Sequence, residues 1–456
     1  MTPSLQAGTG ETANHVTDSS PVQIAVIGAG ERGKVYASFA LHNPLLCQVV
    51  ALAEPVSRRR EAFLRRHVEI PAQNVFLDWK EMVKVPKLAD AVVICTLDQL
   101  HAECVVEFAK LGYHILCEKP MAISPQECAA MTRAVVQANI IFAVCHVLRY
   151  SPYNRSLKQL VEAKACGDVI NIVHVEPVGW WHFAHSYVRG NWRCEEQATF
   201  SLMAKSCHDL DILCHYMGSN HPPRQVHSFG SLSHFRRDKK PAAAGLATRC
   251  VDCAFEKDCP YSALKLYLDK SKHDDRGWPA SVVCGGGEVE VDMENVHEEL
   301  KIGPYGRCVY EADNDVCDHQ VVNIEFEGGA TASFTMVAFS ELVCERQTRI
   351  HGSRGEIIGD SQTIRYTDFA TGKTTVIDPG TETQGINGGG SGHGGGDYGL
   401  MATFIEAVAQ GNASLLGCSP KQALMSHVLV FAAEEARKKR VVVNVEDYLR
   451  SEACIE

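Results

Sequence analysis

The sequence predicts an α/β protein in two parts: an N-terminal doubly wound parallel sheet, then a C-terminal α+β domain on a large, mostly antiparallel sheet. Three observations predict it. Between residues 21 and 148, short apolar runs alternate with helical stretches, the rhythm of a parallel sheet covered on both faces. The first run ends in Gly28-Ala29-Gly30-Glu31-Arg32-Gly33, a glycine-rich turn between a strand and a helix. Beyond residue 150 the runs take a period of two and meet at a hairpin signal, Glu327-Gly328-Gly329.

Val22 to Ile27 reads as a strand buried on both faces. In the turn after it, Gly28 makes the bend, Gly30 lets backbone approach a pyrophosphate, and Gly33 lets the next helix pack against the strand. The helix that opens at Glu31 and Arg32 offers N–H groups and a positive dipole end to phosphates. These residues, with Ala29, are the predicted cradle of a dinucleotide. Cys47 to Ala53 is the second strand and ends at Glu54. That position, roughly twenty residues past the last glycine, is where a carboxylate accepts hydrogen bonds from the adenosine ribose. Glu54 favours NAD; an arginine such as Arg58, which opens the run Arg58-Arg59-Arg60, would suit the extra phosphate of NADP. Three further strands follow at Asp90 to Thr96, Tyr113 to Cys117 and Ile140 to Val144, and Ser124-Pro125 starts the helix before the last. Thr96 and Lys119 fall at strand carboxyl ends, where ligands of such sheets bind.

The second part begins with a helix at about 153–165 and a strand at 169–176, then a polar, aromatic segment holding Trp180, Trp181, His182, His185 and Trp192. A helix over 203–217 and strands at 330–338, 346–351 and 355–366 come next. The run 388–396 reads as a glycine linker into a helix capped by Asp397, and a last helix spans about 419–439. The expected division is a disordered tail over 1–20, a dinucleotide-binding domain over 21–149, and a substrate-binding and oligomerisation domain over 150–456. The last carries a cysteine-rich insert at about 245–275 and closing helices over 397–440.

A net charge of −11 argues against a nucleic-acid or anionic-membrane partner, and no apolar run is long enough to span a membrane. The polar first twenty residues lack the apolar core of a signal peptide. Most of the 19 cysteines sit in apolar runs, as reduced thiols do, so a cytoplasmic location is expected.

Lys119, at a strand end and before a proline, is the first candidate for acid–base work, because burial or a nearby positive charge brings a lysine into a useful range. Lys205, His208 and Asp211 are spaced three apart and share one helix stripe, a candidate proton-handling group. Cys250-x-x-Cys253 with Cys259 suits a structural zinc site, with Cys308 as the first choice of fourth ligand and Cys284, Cys317 or a histidine as others; buried thiols or a disulfide are the alternatives. His393, amid glycines, is either linker or the tip of an active-site loop.

Together these motifs resemble the family of glucose–fructose oxidoreductase, inositol dehydrogenase and MocA (Gfo/Idh/MocA). The resemblance rests on the glycine turn, Ala53-Glu54-Pro55, Thr96 with His101, Glu118-Lys119-Pro120, Leu148-Arg149-Tyr150-Ser151-Pro152, and His208 with Asp211, in family order. It implies a Rossmann domain, tightly held NAD(P), a sugar, cyclitol or related polyol as substrate, and a homo-oligomer. It implies Lys119 as the catalytic lysine and His208 as the histidine at the reacting hydroxyl, with Thr96, His101 and Glu118 lining the cofactor. Tyr150, His182, His185, Trp192, Asp211 and His393 are the expected substrate contacts. Many members carry an aspartate four residues before the histidine; here that residue is Ala204, and Lys205 beside it is the expected replacement. Three readings follow: a hydride-transferring oxidoreductase, an NAD-dependent glycosidase or epimerase that oxidises its substrate transiently, and a non-catalytic NAD-binding sensor.

Overall fold

The computed structural model describes residues 20–269, 277–285, 291–380 and 392–452. Residues 1–19 of the expected tail, 270–275 of the expected insert and 388–391 of the glycine run lie outside the described residues.

Six parallel strands form the first sheet: β1 (Val22–Ile27), β2 (Cys47–Ala53), β3 (Val75–Phe76), β4 (Ala91–Ile94), β5 (His114–Cys117) and β6 (Phe142–Val144). Their order is β3-β2-β1-β4-β5-β6, so the winding reverses between β1 and β4 and opens a crevice at the strands' carboxyl ends. Helices cover both faces, which is why β4 and β6 are apolar at every position rather than at alternate ones. At two residues, β3 is too short to leave a periodic trace in the sequence.

The second sheet has nine strands: β7 (Val169–Pro177), β8 (Pro223–Ser231), β9 (His319–Phe326), β10 (Thr331–Val337), β11 (Gln347–Gly352), β12 (Gly355–Gly359), β13 (Ile364–Asp368), β14 (Thr374–Ile377) and β15 (Val443–Asn444). The order is β14-β13-β12-β11-β7-β10-β9-β8-β15. Only the β7–β10 pairing is parallel; the others are antiparallel. The stretch expected as one strand over 355–366 is two, because Asp360 accepts from the N–H groups of Gln362 and Thr363 and turns the chain back. One face of the sheet is covered by the Ser201–Met217 and Pro420–Lys439 helices. The Ser419-x-x-Gln422 capping box fixes the start of the latter.

The Gly396–Gln410 helix departs from expectation twice. Its N-cap is Gly395, at φ 88°, and Asp397 lies in the first turn. Its apolar side chains Leu400, Met401, Phe404 and Ile405 pack with Tyr36, Phe39 and strand β1 in the core of the first sheet. A closing helix assigned to the second domain thus completes the first. Burying each such side chain contributes about 1.5–3 kcal/mol. The chain between β8 and β9 holds a small apolar cluster of its own around Leu266, Tyr267, Val296 and Leu300. It reaches back to the first domain where Arg59 Nη2 donates to the Gly285 carbonyl at 3.2 Å.

Candidate active site

The three glycines of the turn do three different jobs. Gly28 has φ 94°, and a Cβ there would stand 2.5 Å from the Cys95 carbonyl oxygen. A Cβ on Gly33 would stand 2.0 Å from the Gly28 carbonyl oxygen, so the helix can sit this close only without a side chain. At Gly30 a Cβ would meet nothing within 4 Å. Gly30 is also the N-cap of the Glu31–His42 helix, which has no side-chain cap. Open space before an uncapped helix N-terminus is what a pyrophosphate needs. Glu54, almost fully buried, accepts from Ala29 N–H at 2.7 Å and Val56 N–H at 2.8 Å, which fixes its carboxylate over the turn. Each oxygen keeps acceptor capacity for a ribose hydroxyl. These residues fit an adenine dinucleotide. Of the arginines after Glu54, Arg58 is exposed, while Arg60 Nη1 donates to the Glu54 carbonyl at 2.8 Å. Glu31 is on the surface, paired with Lys34 at 3.2 Å.

Arg32 and Glu118 turn inward to each other. Arg32 Nε stands 2.6 Å from Glu118 Oε1, and its Nη2 bonds Asp397 and the Tyr36 hydroxyl. Tyr36 and the Lys119 N–H also donate to Glu118, at 2.8 and 2.7 Å. Burial by itself would push Glu118 up, but Arg32 and then Lys119 hold it below the usual carboxylate range. Its ion pair ties the glycine turn to the end of β5 and to the Gly396–Gln410 helix. The ring nitrogens of His101 lie 2.8 Å from the Pro120 carbonyl and 3.2 Å from that of Thr96.

Lys119 follows β5, and its Nζ donates to the Ala204 carbonyl at 2.7 Å. Ala204 is one helical turn before His208, so the lysine of the first domain and the histidine of the second face one another across the crevice. His208 is buried with neither ring nitrogen bonded. Burial first, and then Lys119, hold its pKa well below the ordinary histidine value, so the ring is neutral. The rings of His393 and His146 lie 5.6 and 6.2 Å away, centroid to centroid.

The rest of the expected stripe is engaged elsewhere. Lys205 Nζ pairs with Glu176 at 3.0 Å and donates to Cys344 Sγ at 2.9 Å. Burial would lower it, but Cys344 and Glu176 outweigh that and keep it charged. Arg346 joins this buried layer, 3.0 Å from Glu176 and 2.7 Å from Asp209. Asp211 takes two bonds of 2.7 Å from the Arg149 guanidinium. It braces the helix carrying His208 through this pair.

Of the other expected contacts, His182, Trp192 and His393 border the crevice. Trp192 Nε1 donates to Asp98 at 3.2 Å, joining the two domains at its rim. His182 Nδ1 is 3.4 Å from Cys344 Sγ, and burial, then Lys205, push its pKa down. His393, at φ 54°, holds Asp397 at 3.2 Å and keeps 31% of its side chain exposed. His185 lies apart, 2.9 Å from the Tyr267 hydroxyl and stacked on Tyr305 at 4.9 Å. Tyr150 donates its hydroxyl to the Leu416 carbonyl at 2.8 Å and belongs to the core. Sequence reasoning passed over His146 and His427. His146 stands just past the carboxyl end of β6, and that position was the signal.

The zinc expectation is not supported. Cys250, Cys253, Cys259 and Cys308 line a small apolar cavity beside Arg189, but among the described residues no group of His, Cys, Asp and Glu has the geometry to hold a metal ion. Cys250 Sγ instead accepts from Arg189 at 3.5 Å.

A reversed parallel sheet with an open helix N-terminus and a ribose carboxylate defines a dinucleotide-binding class of α/β protein. Residues 22–146 match the family described as "Oxidoreductase family, NAD-binding Rossmann fold", and 158–445 match its "C-terminal alpha/beta domain". The chain belongs to this Gfo/Idh/MocA oxidoreductase family. Among its curated relatives, the oxidoreductase YteT of Bacillus subtilis (strain 168) is 24% identical over 333 residues, 70% of this chain and 72% of that one. A 2,7-anhydro-N-acetylneuraminate hydratase of Escherichia coli (strain K12) is 24% identical over 250 residues, 53% and 62% of the two chains. A levoglucosan dehydrogenase of Pseudarthrobacter phenanthrenivorans is 30% identical over 158 residues, 33% of this chain and 39% of that one. A solved levoglucosan dehydrogenase in complex with NADH and levoglucosan shares the fold: TM-score 0.66, 20% identity, 93% of this chain and 100% of that one. No helix among the described residues is long and apolar enough to cross a membrane.

Proposed function

We propose that this protein is an NAD(P)-dependent oxidoreductase that moves hydride between a nicotinamide and the hydroxyl or keto carbon of a sugar, cyclitol or related polyol. The observation that carries it is the meeting of Lys119 with the His208 turn, Nζ to the Ala204 carbonyl at 2.7 Å, at the carboxyl ends of a sheet that fits the dinucleotide. A bound nicotinamide would supply the hydride acceptor. Gly30 and the helix N-terminus hold the pyrophosphate, and Glu54 holds the ribose, which favours NAD over NADP. Lys119 takes the proton from the substrate hydroxyl, and neutral His208 donates its ring N–H to the same oxygen as negative charge develops there. His182, Trp192 and His393 contact the sugar hydroxyls. The relative named for levoglucosan acts on a substrate of this class.

Lys119→Ala tests the reading. Turnover of NAD+ with a panel of sugars and cyclitols, followed at the nicotinamide absorbance, is expected to fall about 100-fold or more with NAD+ still bound. Near-wild-type turnover removes the lysine from the chemistry. The second reading, transient oxidation with no net redox change, draws on the relative named as a hydratase. Substrate conversion without any change in nicotinamide absorbance would select it.

A further inference from the structure

The crevice buries two imidazoles, those of His146 and His208, 2% and 3% exposed, with all four ring nitrogens lacking a hydrogen-bond partner. A buried polar atom left unpaired costs about 1–3 kcal/mol. Two such rings side by side keep nitrogens that no other group among the described residues takes up. His208 already has a role in the reading above; His146 has none.

We propose that His146, turned by Asp211, is the second station of the proton path, receiving from His208 the proton that leaves the substrate hydroxyl. This rests on the oxidoreductase reading. His146 belongs to the first domain and His208 to the second, and their rings meet edge to face at 6.2 Å between centroids. His146 Nε2 lies 3.6 Å from Asp211 Oδ1, slightly beyond hydrogen-bond length. Asp211 does not itself take the proton, since the doubly bonded Arg149 keeps it ionised. Its negative charge favours a proton on the facing Nε2 and partly offsets the burial that disfavours the imidazolium.

The groups around His146 are Asp211 and His208 on the Ser201–Met217 helix, His427 on the Pro420–Lys439 helix, Arg149 in the turn after β6, and Lys119 after β5. His427 is filled: its Nε2 accepts from Met121 N–H at 2.8 Å and its Nδ1 donates to the Ala423 carbonyl at 2.8 Å. Lys205, the replacement expected from sequence, is held by Glu176. With His427 filled and Lys205 held, His146 is the open acceptor beside His208. In the step, the substrate O–H bond breaks and its proton passes through Lys119 and His208 to His146, and returns by the same groups to solvent once the product has left the crevice. The C–H bond breaks with its electron pair going to oxidised nicotinamide, which NAD+ supplies.

The test uses the full chain saturated with NAD+ and labelled with ring-15N histidine, with His146→Gln to assign the resonance. A single neutral tautomer at pH 7, protonated on Nε2, is expected for His146. An Nδ1–H form or a fast mixture overturns the proposal, and this measurement needs no mutation of the buried Asp211. On a sugar or cyclitol that the wild type oxidises, His146→Gln is expected to lower kcat about 100-fold with KM within about twofold, and to move the acid limb of the pH profile. An unchanged kcat and limb also overturn it. If the wild type binds NAD+ and oxidises nothing on the panel, the oxidoreductase reading fails, while the tautomer still decides whether the pair exists.

Discussion

Gly30→Ala and Gly33→Ala, three residues apart in one turn, should have opposite effects. A Cβ at Gly33 would stand 2.0 Å from the Gly28 carbonyl oxygen and 3.1 Å from its carbon. Both are backbone atoms, so ordinary contact near 3.4 Å requires the Glu31–His42 helix to back away from β1 by about 1 Å or more. Overpacking of this kind costs about 1–3 kcal/mol. At about 2–4 °C per kcal/mol for a domain this size, the melting midpoint should fall by about 2–12 °C. Gly30, at φ −68°, has nothing within 4 Å of its Cβ position. Alanine there restricts the unfolded chain and should leave stability equal or up to about 1 kcal/mol higher. The methyl would, however, occupy the place of closest approach to a pyrophosphate. NAD+ affinity should therefore drop at least about tenfold, a loss of about 1.4 kcal/mol. Differential scanning fluorimetry without ligand and calorimetric titration with NAD+ separate the two effects. Wild-type affinity in a well-folded Gly30→Ala would show that no pyrophosphate lies at this helix N-terminus.

Acid should weaken the fold through the buried histidines. His146 stays neutral in the folded protein down to about pH 3, while an unfolded histidine protonates near about 6.5. Below that value the unfolded chain binds the extra proton, so stability falls as pH drops from about 6.5 toward 3, by about 1.4 kcal/mol per pH unit for this one group. Urea midpoints measured across that range should show the slope, and His146→Gln should flatten it. An identical slope in the variant would mean that His146 already titrates in the native state. Arg149→Met leaves Asp211 at 1% exposure without its charge partner, which should cost about 3–5 kcal/mol. A melting midpoint within a degree of wild type would contradict the bracing role given to this pair.

The sequence alone determined the sheet order's general type, the glycine turn and the family, because each of these is a local pattern. Parallel strands buried on both faces read as unbroken apolar runs, and a tight turn needs glycine wherever backbone must pass backbone. Long-range partners left no such trace. Three-residue spacing put Lys205, His208 and Asp211 on one stripe. Only the folded helix, with β7 and the turn after β6 packed against it, showed that Glu176 takes the first and Arg149 the last. The same holds for Tyr150 and His185, whose polar atoms are taken up by Leu416 and Tyr267. It holds too for the Gly396–Gln410 helix, which returns across more than 350 residues to Arg32. Pattern is set by the repeat of a backbone with itself, but the partner of a buried charge is chosen by whichever opposite group the whole chain brings near. That is why the crevice could be foreseen, while the division of its residues into those that brace and those that face the open space had to await the tertiary structure.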